Sequence, residues 1–420
     1  MKNLFKEKKE FFKDHWIWAL VVLAIGLRLS FAMAFYRWNE NTLLDAERYR
    51  RVAVSLLEGR GFCEWGNHPT AFVPPLYPLF LAGCFKVFGV DFLPVILIQA
   101  VIGGLVSWLV YRLGVQLAGT PVGILSAMVS AVYPELVVIS SFAYTETLFI
   151  FMTVLFILLL HTAMRSDKIK DWALAGLIFG LGLLIRSLLF FFPLFLFLVF
   201  LSVKYFRRFL KGLFVMLLVG YCTLIPWTIR NYKVFHAFVP VSTGGSGEFW
   251  IGTYIPFEGR YRHQETSALI LKLTQDAKNE VEKDKILFHA GLKNIQENPV
   301  RYFWISAKKA FRFVFQIYEN IPTGHTRTPN VWIMLVLGMS YYFLLLTALI
   351  GVWATRKTWK KWIPLYVLFG YAILIYSATH FVPRYRIPLV PFMGIFSAYG
   401  ILWLMHSFVD SKFPNAHGNF

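Results

Sequence analysis

Long apolar runs, joined by short basic connections, recur along nearly the whole chain. Each run is about twenty residues long, which is the length that an α-helix needs to cross the hydrocarbon core of a bilayer. The pattern therefore predicts an all-α polytopic membrane protein of about ten transmembrane helices. The predicted spans are 16–35, 92–111, 119–138, 142–163, 171–185, 187–203, 212–229, 331–354, 362–381 and 387–408.

The basic connections give the predicted orientation of these spans. Short loops rich in lysine and arginine stay in the cytoplasm, and the pattern places three of them on one side together with both termini: 165–170, 204–211 and 356–361. Residues 36–90 then form the first external loop, and 230–330 form a long external region. We expect an inner (plasma) membrane protein whose active site faces outward.

This threading divides the chain into three parts. Residues 1–229 are a predicted N-terminal transmembrane module, 230–330 an external region with amphipathic helices, and 331–420 the C-terminal transmembrane helices. Two segments do not suit spans. Residues 74–89 are too short and predict an interfacial helix with proline at its start, and 301–315 predict a basic amphipathic helix on the membrane surface.

Further inside the external region, a polar stretch at about 265–297 predicts a helix. If the chain binds a lipid, the segments 74–89 and 301–315 are the expected walls for its apolar tail.

Composition agrees with a membrane protein and changes the interpretation of the charge. Only 15% of the residues are charged, whereas soluble domains carry about a quarter. The net charge of +19 would indicate nucleic acid in a soluble protein. Here the basic residues lie beside the spans, where they meet anionic headgroups. Membrane lipids are therefore the expected partners, and nucleic acid is not.

Two acidic residues lie close to apolar segments on the predicted external side. An ionisable group near hydrocarbon costs roughly 2.5–3.5 kcal/mol on insertion scales, so each needs a partner or a function. Asp45, in LLDAERYRRV, suits either the N-cap of a charged helix or a general base. Glu146, in SSFAYTETLFIFM, suits either a buried acid paired with arginine or a catalytic group.

Four arginines raise the same question at the outer ends of spans. Arg186 interrupts an apolar run and either marks a hairpin tip or binds an anion. Arg384 and Arg386 flank Tyr385 in HFVPRYRIPLVP and suit either headgroup anchors or an anion clamp. Arg230 is either an interface residue beside a tryptophan or a further member of this basic set.

Five stretches of the sequence, in order, resemble the GT-C superfamily of membrane glycosyltransferases. Within the superfamily, the sequence resembles bacterial proteins similar to dolichyl-phosphate-mannose protein mannosyltransferases and to the lipid A aminoarabinose transferase. The resemblance covers about residues 16–400 and is carried by LLDAERYRRVAVSLLEGRGF with PTAFVPPLYPLFLAG, YPELVVISSFAYTETLF, GLGLLIRS, IPWTIRNYKVFHAFVPVSTGGSGEFWIG and PRYRIPLVP. One departure is Val73 before two prolines, where the aminoarabinose branch carries lysine.

The resemblance implies a GT-C fold and an enzyme that takes a sugar from a polyprenyl-phosphate donor. The acceptor would be a hydroxyl of a lipid, glycan or protein on the non-cytoplasmic face. It also implies site residues: catalytic Asp45 and Glu146, and donor phosphate contacts Arg186, Arg384 and Arg386. Arg230 is a further candidate for the phosphate contacts, and the candidates for the substrate pocket are Glu47, Tyr49, Tyr77 and Tyr385.

An inverting transfer would use Asp45 as general base and the arginines, or a divalent metal ion held partly by Glu146, to stabilise the departing phosphate. The residues themselves assign no metal site and no cofactor, and a divalent metal ion is left open. A secondary transporter or a lipid flippase is the alternative function for a polytopic chain of this size. Transporters usually place ionisable groups at the bilayer midplane, whereas here they cluster at one surface.

Overall fold

The computed structural model describes residues 15–39, 44–316 and 331–412, and these segments are mostly helical. The basic N-terminal stretch and the last part of the predicted external region lie outside the described residues. In the first half of the chain the elements are α1 (His15–Asn39), α2 (Leu44–Leu57), β1 (Cys63–Trp65), β2 (His68–Pro69), α3 (Leu76–Phe88), α4 (Phe92–Ala118), α5 (Thr120–Val132), α6 (Pro134–Ile139), α7 (Glu146–Ser166), α8 (Ile169–Leu183) and α9 (Phe192–Ser202).

The second half continues with helices and short 3-10 segments. The helices are α10 (Leu210–Cys222), α11 (Ile225–Phe235), α12 (Gly245–Thr253), α13 (His263–Leu273), α14 (Glu280–Glu297), α15 (Pro299–Phe315), α16 (Val331–Ala354), α17 (Trp359–Ala378) and α18 (Val390–Lys412). The 3-10 segments are Ser187–Leu189, Lys204–Phe209, Ile255–Phe257, Thr355–Thr358 and Pro383–Leu389.

The predicted all-α membrane architecture is confirmed, and the protein is an integral membrane protein. Among the described residues, 5 helical stretches could cross a membrane by length and composition: 16–34, 92–118, 146–166, 335–378 and 383–407. The number rises to 6 if α10 with its preceding 3-10 segment and α11, which meet at 43°, form one broken span. Three apolar helical segments are shorter than a span: 76–88, 120–132 and 187–202. The count of ten spans and the three-part division of the chain stay predictions.

Several element ends differ from the predicted ones because of local breakers. Helix α4 continues to Ala118, well beyond 111, and stops only at Gly119, whose φ of 92° lies in the region that favours glycine. Helix α5 ends at Val132 because Pro134 begins the next helix and disfavours helical geometry in the residue before it.

The predicted single span at 212–229 and the predicted single helix at 265–297 are each two helices. The first breaks between α10 and α11, where Pro226 opens the second helix. The second breaks after α13. Helix α14 then begins at Glu280, and its N-cap is Asn279, whose side chain accepts hydrogen bonds from the N–H groups of Val281 and Glu282. The predicted interfacial helix at 74–89 appears as α3.

Glycines allow the C-terminal helices to pack closely. Helices α16 and α18 contact each other along much of their length. A Cβ placed on Gly351 would overlap the carbonyl of Phe396, and one on Gly400 would overlap the carbonyl of Thr347. Small residues at such crossings are the usual means by which membrane helices associate closely.

This packing predicts opposite effects for two glycine-to-alanine changes in apolar helices. We expect Gly351→Ala to lower the melting temperature of the detergent-purified protein, because its methyl group must push α16 and α18 apart. Gly370→Ala in α17 is the matched control, since nothing lies within 4 Å of its added Cβ and alanine favours helix by up to about 1 kcal/mol. Equal melting temperatures for the two variants would contradict the packing argument.

Candidate active site

A buried carboxylate joins two arginines where three parts of the chain meet. Glu146 is the first residue of α7, and its side chain is 1% exposed. Its Oε1 lies 2.8 Å from Nη1 of Arg186 and 3.0 Å from Nε of Arg384. The N-terminus of a helix also favours a negative charge. One carboxylate therefore holds two guanidinium groups at fixed positions.

Asp45 completes this cluster from α2, in the segment predicted to be the first external loop. Nη2 of Arg384 donates a hydrogen bond to Oδ2 of Asp45 at 2.8 Å. Asp45 lies in the first turn of α2, and its side chain is 40% exposed, in contrast to the fully buried Glu146. Of the two carboxylates, Asp45 is thus the one that a ligand can reach.

The backbone and aromatic neighbours explain why the arginines stay in place. Arg186 follows the end of α8 in an extended conformation, just before the 3-10 segment Ser187–Leu189. Its Cζ lies 5.6 Å from the ring centre of Tyr385, and Cζ of Arg384 lies 4.5 Å from that of Tyr144. Aromatic faces attract guanidinium groups without neutralising them.

A cavity of about 460 Å³ lies beside the cluster. Its polar lining consists of Tyr49, Thr145, Arg186, Ser187, Ser242, Glu248, Thr379, His380 and Tyr385. Its apolar lining includes Ile185, Leu188, Phe190, Phe191, Val241, Tyr371, Ile375 and Tyr376. We call this space the Arg186 cavity. A cationic group together with a long apolar wall suits an amphiphile with an anionic head.

The expected walls for an apolar tail, 74–89 and 301–315, do not line this cavity apart from Pro74. Helix α3 buries Tyr77, Leu81 and Phe85 within the fold instead. Helix α15 buries only one narrow face and leaves most of its aromatic side chains exposed. The apolar wall of this cavity comes instead from Leu188, Phe190 and Phe191 and from the end of α17.

Arg386 does not join Arg384 in an anion clamp. Its Nη1 donates hydrogen bonds at 3.0 Å to the carbonyls of Phe313 and Gln316, and its Cζ lies 3.6 Å from the ring centre of Tyr341. In a 3-10 segment, residues two apart point to different sides. Arg384 therefore faces the carboxylates while Arg386 is buried against other helices, and the predicted pair is separated.

Arg230 also lies outside the cluster, where it holds the segment between α2 and α3 in place. Its guanidinium donates to the carbonyls of Thr70 at 2.8 Å and Phe62 at 3.1 Å, and its Cζ lies 4.9 Å from the ring centre of Trp227. Its position agrees with the interface alternative rather than with a phosphate contact.

The four pocket candidates divide into two pairs. Tyr49 and Tyr385 line the Arg186 cavity. Glu47 instead pairs with Arg50 on the surface of α2, and the hydroxyl of buried Tyr77 donates to Gln99 at 2.8 Å. Glu47 and Tyr77 therefore have structural contacts outside the cavity.

Two cavity residues, Glu248 and His380, were not among the predicted site residues. Nδ1 of His380 lies 2.9 Å from Oε2 of Glu248, and the hydroxyl of Tyr385 lies 3.5 Å from the same oxygen. The sequence signals were the glycine-rich STGGSGEF before Glu248 and the histidine that opens HFVPRYR. Both stretches overlap segments that carry the family resemblance, but the sequence pattern does not distinguish Glu248 or His380 within them.

A buried lysine on α15 fixes the same region. Lys309 is 2% exposed, and its Nζ donates to the carbonyls of Gly252 and Thr379, each at 2.8 Å. Gly252 belongs to α12 and Thr379 follows α17. Lys309 therefore joins three helices behind the cavity, a role that the amphipathic pattern of 301–315 did not reveal.

The residues at the cluster do not fit a divalent metal ion. Glu146 and Asp45 are both engaged by arginines, and two guanidinium groups oppose a further cation. Within the described parts of the chain, no group of three or more His, Cys, Asp or Glu side chains is arranged to hold a metal. The cluster is therefore built from carboxylates and guanidinium groups.

The fold is that of the GT-C class of membrane glycosyltransferases. The chain is similar to the archaeal oligosaccharyltransferase AglB from Archaeoglobus fulgidus, solved in complex with an inhibitory peptide and a dolichol-phosphate. The two chains are 13% identical, and the match covers 97% of this chain and 53% of that chain with a TM-score of 0.56. The apo form of the A. fulgidus oligosaccharyltransferase is 16% identical, and the match covers 97% of this chain and 53% of that chain with the same TM-score of 0.56. This chain thus spans about half the length of the archaeal enzyme.

The sequence comparison points to the same superfamily. Residues 72–229, less than half of the chain, match the family dolichyl-phosphate-mannose-protein mannosyltransferase. Among solved structures, ArnT from Cupriavidus metallidurans bound to undecaprenyl phosphate is a more distant match with a TM-score of 0.41. It is 12% identical, and the match covers 96% of this chain and 81% of that chain. No curated protein sequence matches the chain. The resemblance to GT-C membrane glycosyltransferases is confirmed.

The buried cluster predicts that Glu146→Gln destabilises the protein. The change leaves two guanidinium groups without their shared anion, and breaking a buried ion pair costs about 3–5 kcal/mol. We expect a melting temperature several degrees below that of the wild type. The control is Glu47→Gln, since the half-exposed pair with Arg50 contributes at most about 1 kcal/mol. A smaller loss for Glu146→Gln than for Glu47→Gln would contradict this assignment.

Lys309 predicts a pH dependence of stability. Burial lowers the pKa of Lys309 from 10.5 to about 7. Between these values the unfolded chain binds a proton that the folded protein has released, so this residue makes the folded state more stable as the pH rises. We expect the melting temperature of the wild type, relative to Lys309→Met, to increase from pH 7 to pH 9.5. A constant difference would contradict the lowered pKa.

Proposed function

We propose that this protein moves a sugar from a polyprenyl-phosphate donor to an acceptor hydroxyl on the non-cytoplasmic face of the membrane. One observation carries the proposal: two guanidinium groups share the buried carboxylate of Glu146, and Arg384 also binds the exposed carboxylate of Asp45. These contacts support a phosphate-binding arginine close to a general base. The matched glycosyltransferase family at 72–229 supports the reaction class.

Arg186 is the proposed contact for the donor phosphate. It lines the cavity, it is held by Glu146, and a guanidinium group binds phosphate oxygens in a bidentate manner. The apolar wall from Leu188 to Phe191 suits the first isoprene units of the lipid. The complex of the A. fulgidus enzyme with dolichol-phosphate is consistent with a polyprenyl-phosphate ligand for this fold.

Asp45 is the proposed general base. It removes the proton from the acceptor hydroxyl, and the oxygen of the hydroxyl attacks the anomeric carbon of the sugar. The bond between this carbon and the phosphate oxygen breaks, and its electron pair stays on the phosphate. One such displacement inverts the anomeric configuration.

Arg384 connects the two ends of this reaction. When Asp45 takes the proton it loses its negative charge, and the departing phosphate gains one. Because Arg384 contacts Asp45 at 2.8 Å and Glu146 at 3.0 Å, it lies beside the path along which the charge moves. A fixed guanidinium group at this position stabilises the charge that develops in the transition state.

The outward orientation rests on the basic loops at 165–170, 204–211 and 356–361, which favour the cytoplasm. The cluster lies at the opposite ends of α7 and α17 from these loops. The acceptor is a hydroxyl compound of the cell envelope, and lipid, glycan and protein hydroxyls all satisfy the chemistry.

The decisive experiment follows a panel of sugar-loaded undecaprenyl phosphates in membranes that contain the overexpressed protein. We expect one loaded lipid to disappear as its sugar is transferred, and Asp45→Asn to slow this loss about 10²–10⁴-fold while still binding undecaprenyl phosphate. Glu47→Gln, on the same helix, is the control and should react at the wild-type rate.

Two results would contradict the proposal. If Asp45→Asn, correctly folded, transferred sugar at the wild-type rate, Asp45 would not be the base. If the loaded lipid crossed the bilayer with its sugar intact, the protein would be a flippase or a transporter.

A further inference from the structure

The Arg186 cavity has a second charged wall that the phosphate contact does not use. Glu248 and His380 line it together with Arg186. Tyr385 lies between the two walls: its ring centre is 5.6 Å from Cζ of Arg186, and its hydroxyl is 3.5 Å from Oε2 of Glu248. A group attached directly to a phosphate at Arg186 would therefore lie within reach of the Glu248 carboxylate.

Glu248 is half exposed, yet its position is fixed from several sides. Nδ1 of His380 lies 2.9 Å from Oε2 of Glu248, and the backbone N–H of His380 donates to the carbonyl of Glu248 at 3.0 Å. The side chain of Glu248 is 45% exposed, whereas that of His380 is 6% exposed. The carboxylate is therefore open to the cavity, and the less exposed imidazole beside it holds its orientation.

The helix that carries Glu248 is in turn locked to the segment that carries His380. Gly252 lies so close to the backbone of Thr379 and His380 that a Cβ at this position would overlap it. Lys309 donates to the carbonyls of both Gly252 and Thr379. Such support by a second layer of contacts is what holds a binding group within a fraction of an ångström of its working position.

The chemistry of a carboxylate restricts what this wall can bind. An ionised carboxylate accepts hydrogen bonds and donates none. Its two oxygens suit two neighbouring hydroxyl groups, and they repel an acidic substituent. In a sugar attached to the phosphate, the ring hydroxyls are the donors that such a group would meet.

We propose that Glu248, oriented by His380, binds the hydroxyl groups of the donor sugar and selects a neutral sugar with neighbouring free hydroxyls. This assignment rests on the proposed function and deepens it. The sugar-binding wall is made by Glu248, while the phosphate is bound by Arg186. His380 is a positioning residue that does not itself contact the sugar.

The test compares undecaprenyl phosphate with its hexose-loaded forms on the purified full-length protein in detergent. The probes are undecaprenyl phosphate and the same lipid carrying glucose, galactose or mannose. With Glu248→Gln we expect the affinity for the hexose lipid that the wild type prefers to fall about tenfold or more, because hydrogen bonds to a charged group are lost. The affinity for undecaprenyl phosphate should not change.

Variants of His380 provide a second route that leaves Glu248 in place. His380→Ala should weaken hexose-lipid binding in the same selective way, whereas His380→Asn, which keeps a donor near the position of Nδ1, should restore most of it. Glu258→Gln is the control, because Glu258 is an exposed carboxylate that pairs with Lys308 outside the cavity. It should bind both lipids as the wild type does.

Failure of this inference can be told apart from failure of the proposed function. If the wild type binds both lipids and Glu248→Gln either leaves hexose-lipid affinity unchanged or weakens both lipids equally, the sugar-binding assignment is wrong. If the wild type binds neither lipid, the polyprenyl-phosphate function itself fails, and this inference with it.

Discussion

The burial of one carboxylate, Glu146, determines how the functional part of this protein is arranged. A buried ion is costly unless other charges and hydrogen bonds surround it. Glu146 begins an apolar helix and is 1% exposed, so the fold must bring cations to it. Arg186 and Arg384 satisfy that requirement from distant parts of the chain. Through Arg384 the same requirement fixes Asp45, and with it the start of α2. Stability and the geometry of the site therefore depend on the same contacts.

The cluster also has a charge balance that suits a ligand exchange. Two carboxylates face two guanidinium groups, so the group is formally neutral before any anion binds. Neutralising Asp45 by a proton would free Arg384 for another anion, whereas Glu146 would stay engaged because it is buried. The different exposure of the two acids, 40% for Asp45 and 1% for Glu146, thus separates a group that a ligand can reach from one that keeps the arginines in place.

The sequence was sufficient for the fold class and for the residues that stand out as charges beside apolar segments. Asp45, Glu146, Arg186 and Arg384 can be recognised because charge near hydrocarbon needs a partner. Which arginine faces the cluster could not be predicted, since Arg384 and Arg386 are equivalent in sequence and only the 3-10 geometry separates them. Glu248 and Lys309 lie in polar or amphipathic stretches where charge is ordinary, and only tertiary contacts distinguish them.

The two segments predicted to be external, 36–90 and 230–330, are joined by contacts between their described residues. Arg230 holds the first loop through the carbonyls of Phe62 and Thr70, and Glu280 on α14 accepts hydrogen bonds from the Thr70 hydroxyl and the Ala71 N–H. Asp45 belongs to the first of these segments and Glu248 to the second. The cavity that Glu248 lines and the cluster beside it that includes Asp45 therefore keep their relative position only while the two segments stay joined. The tethers at Thr70 therefore contribute to the site although they lie outside it.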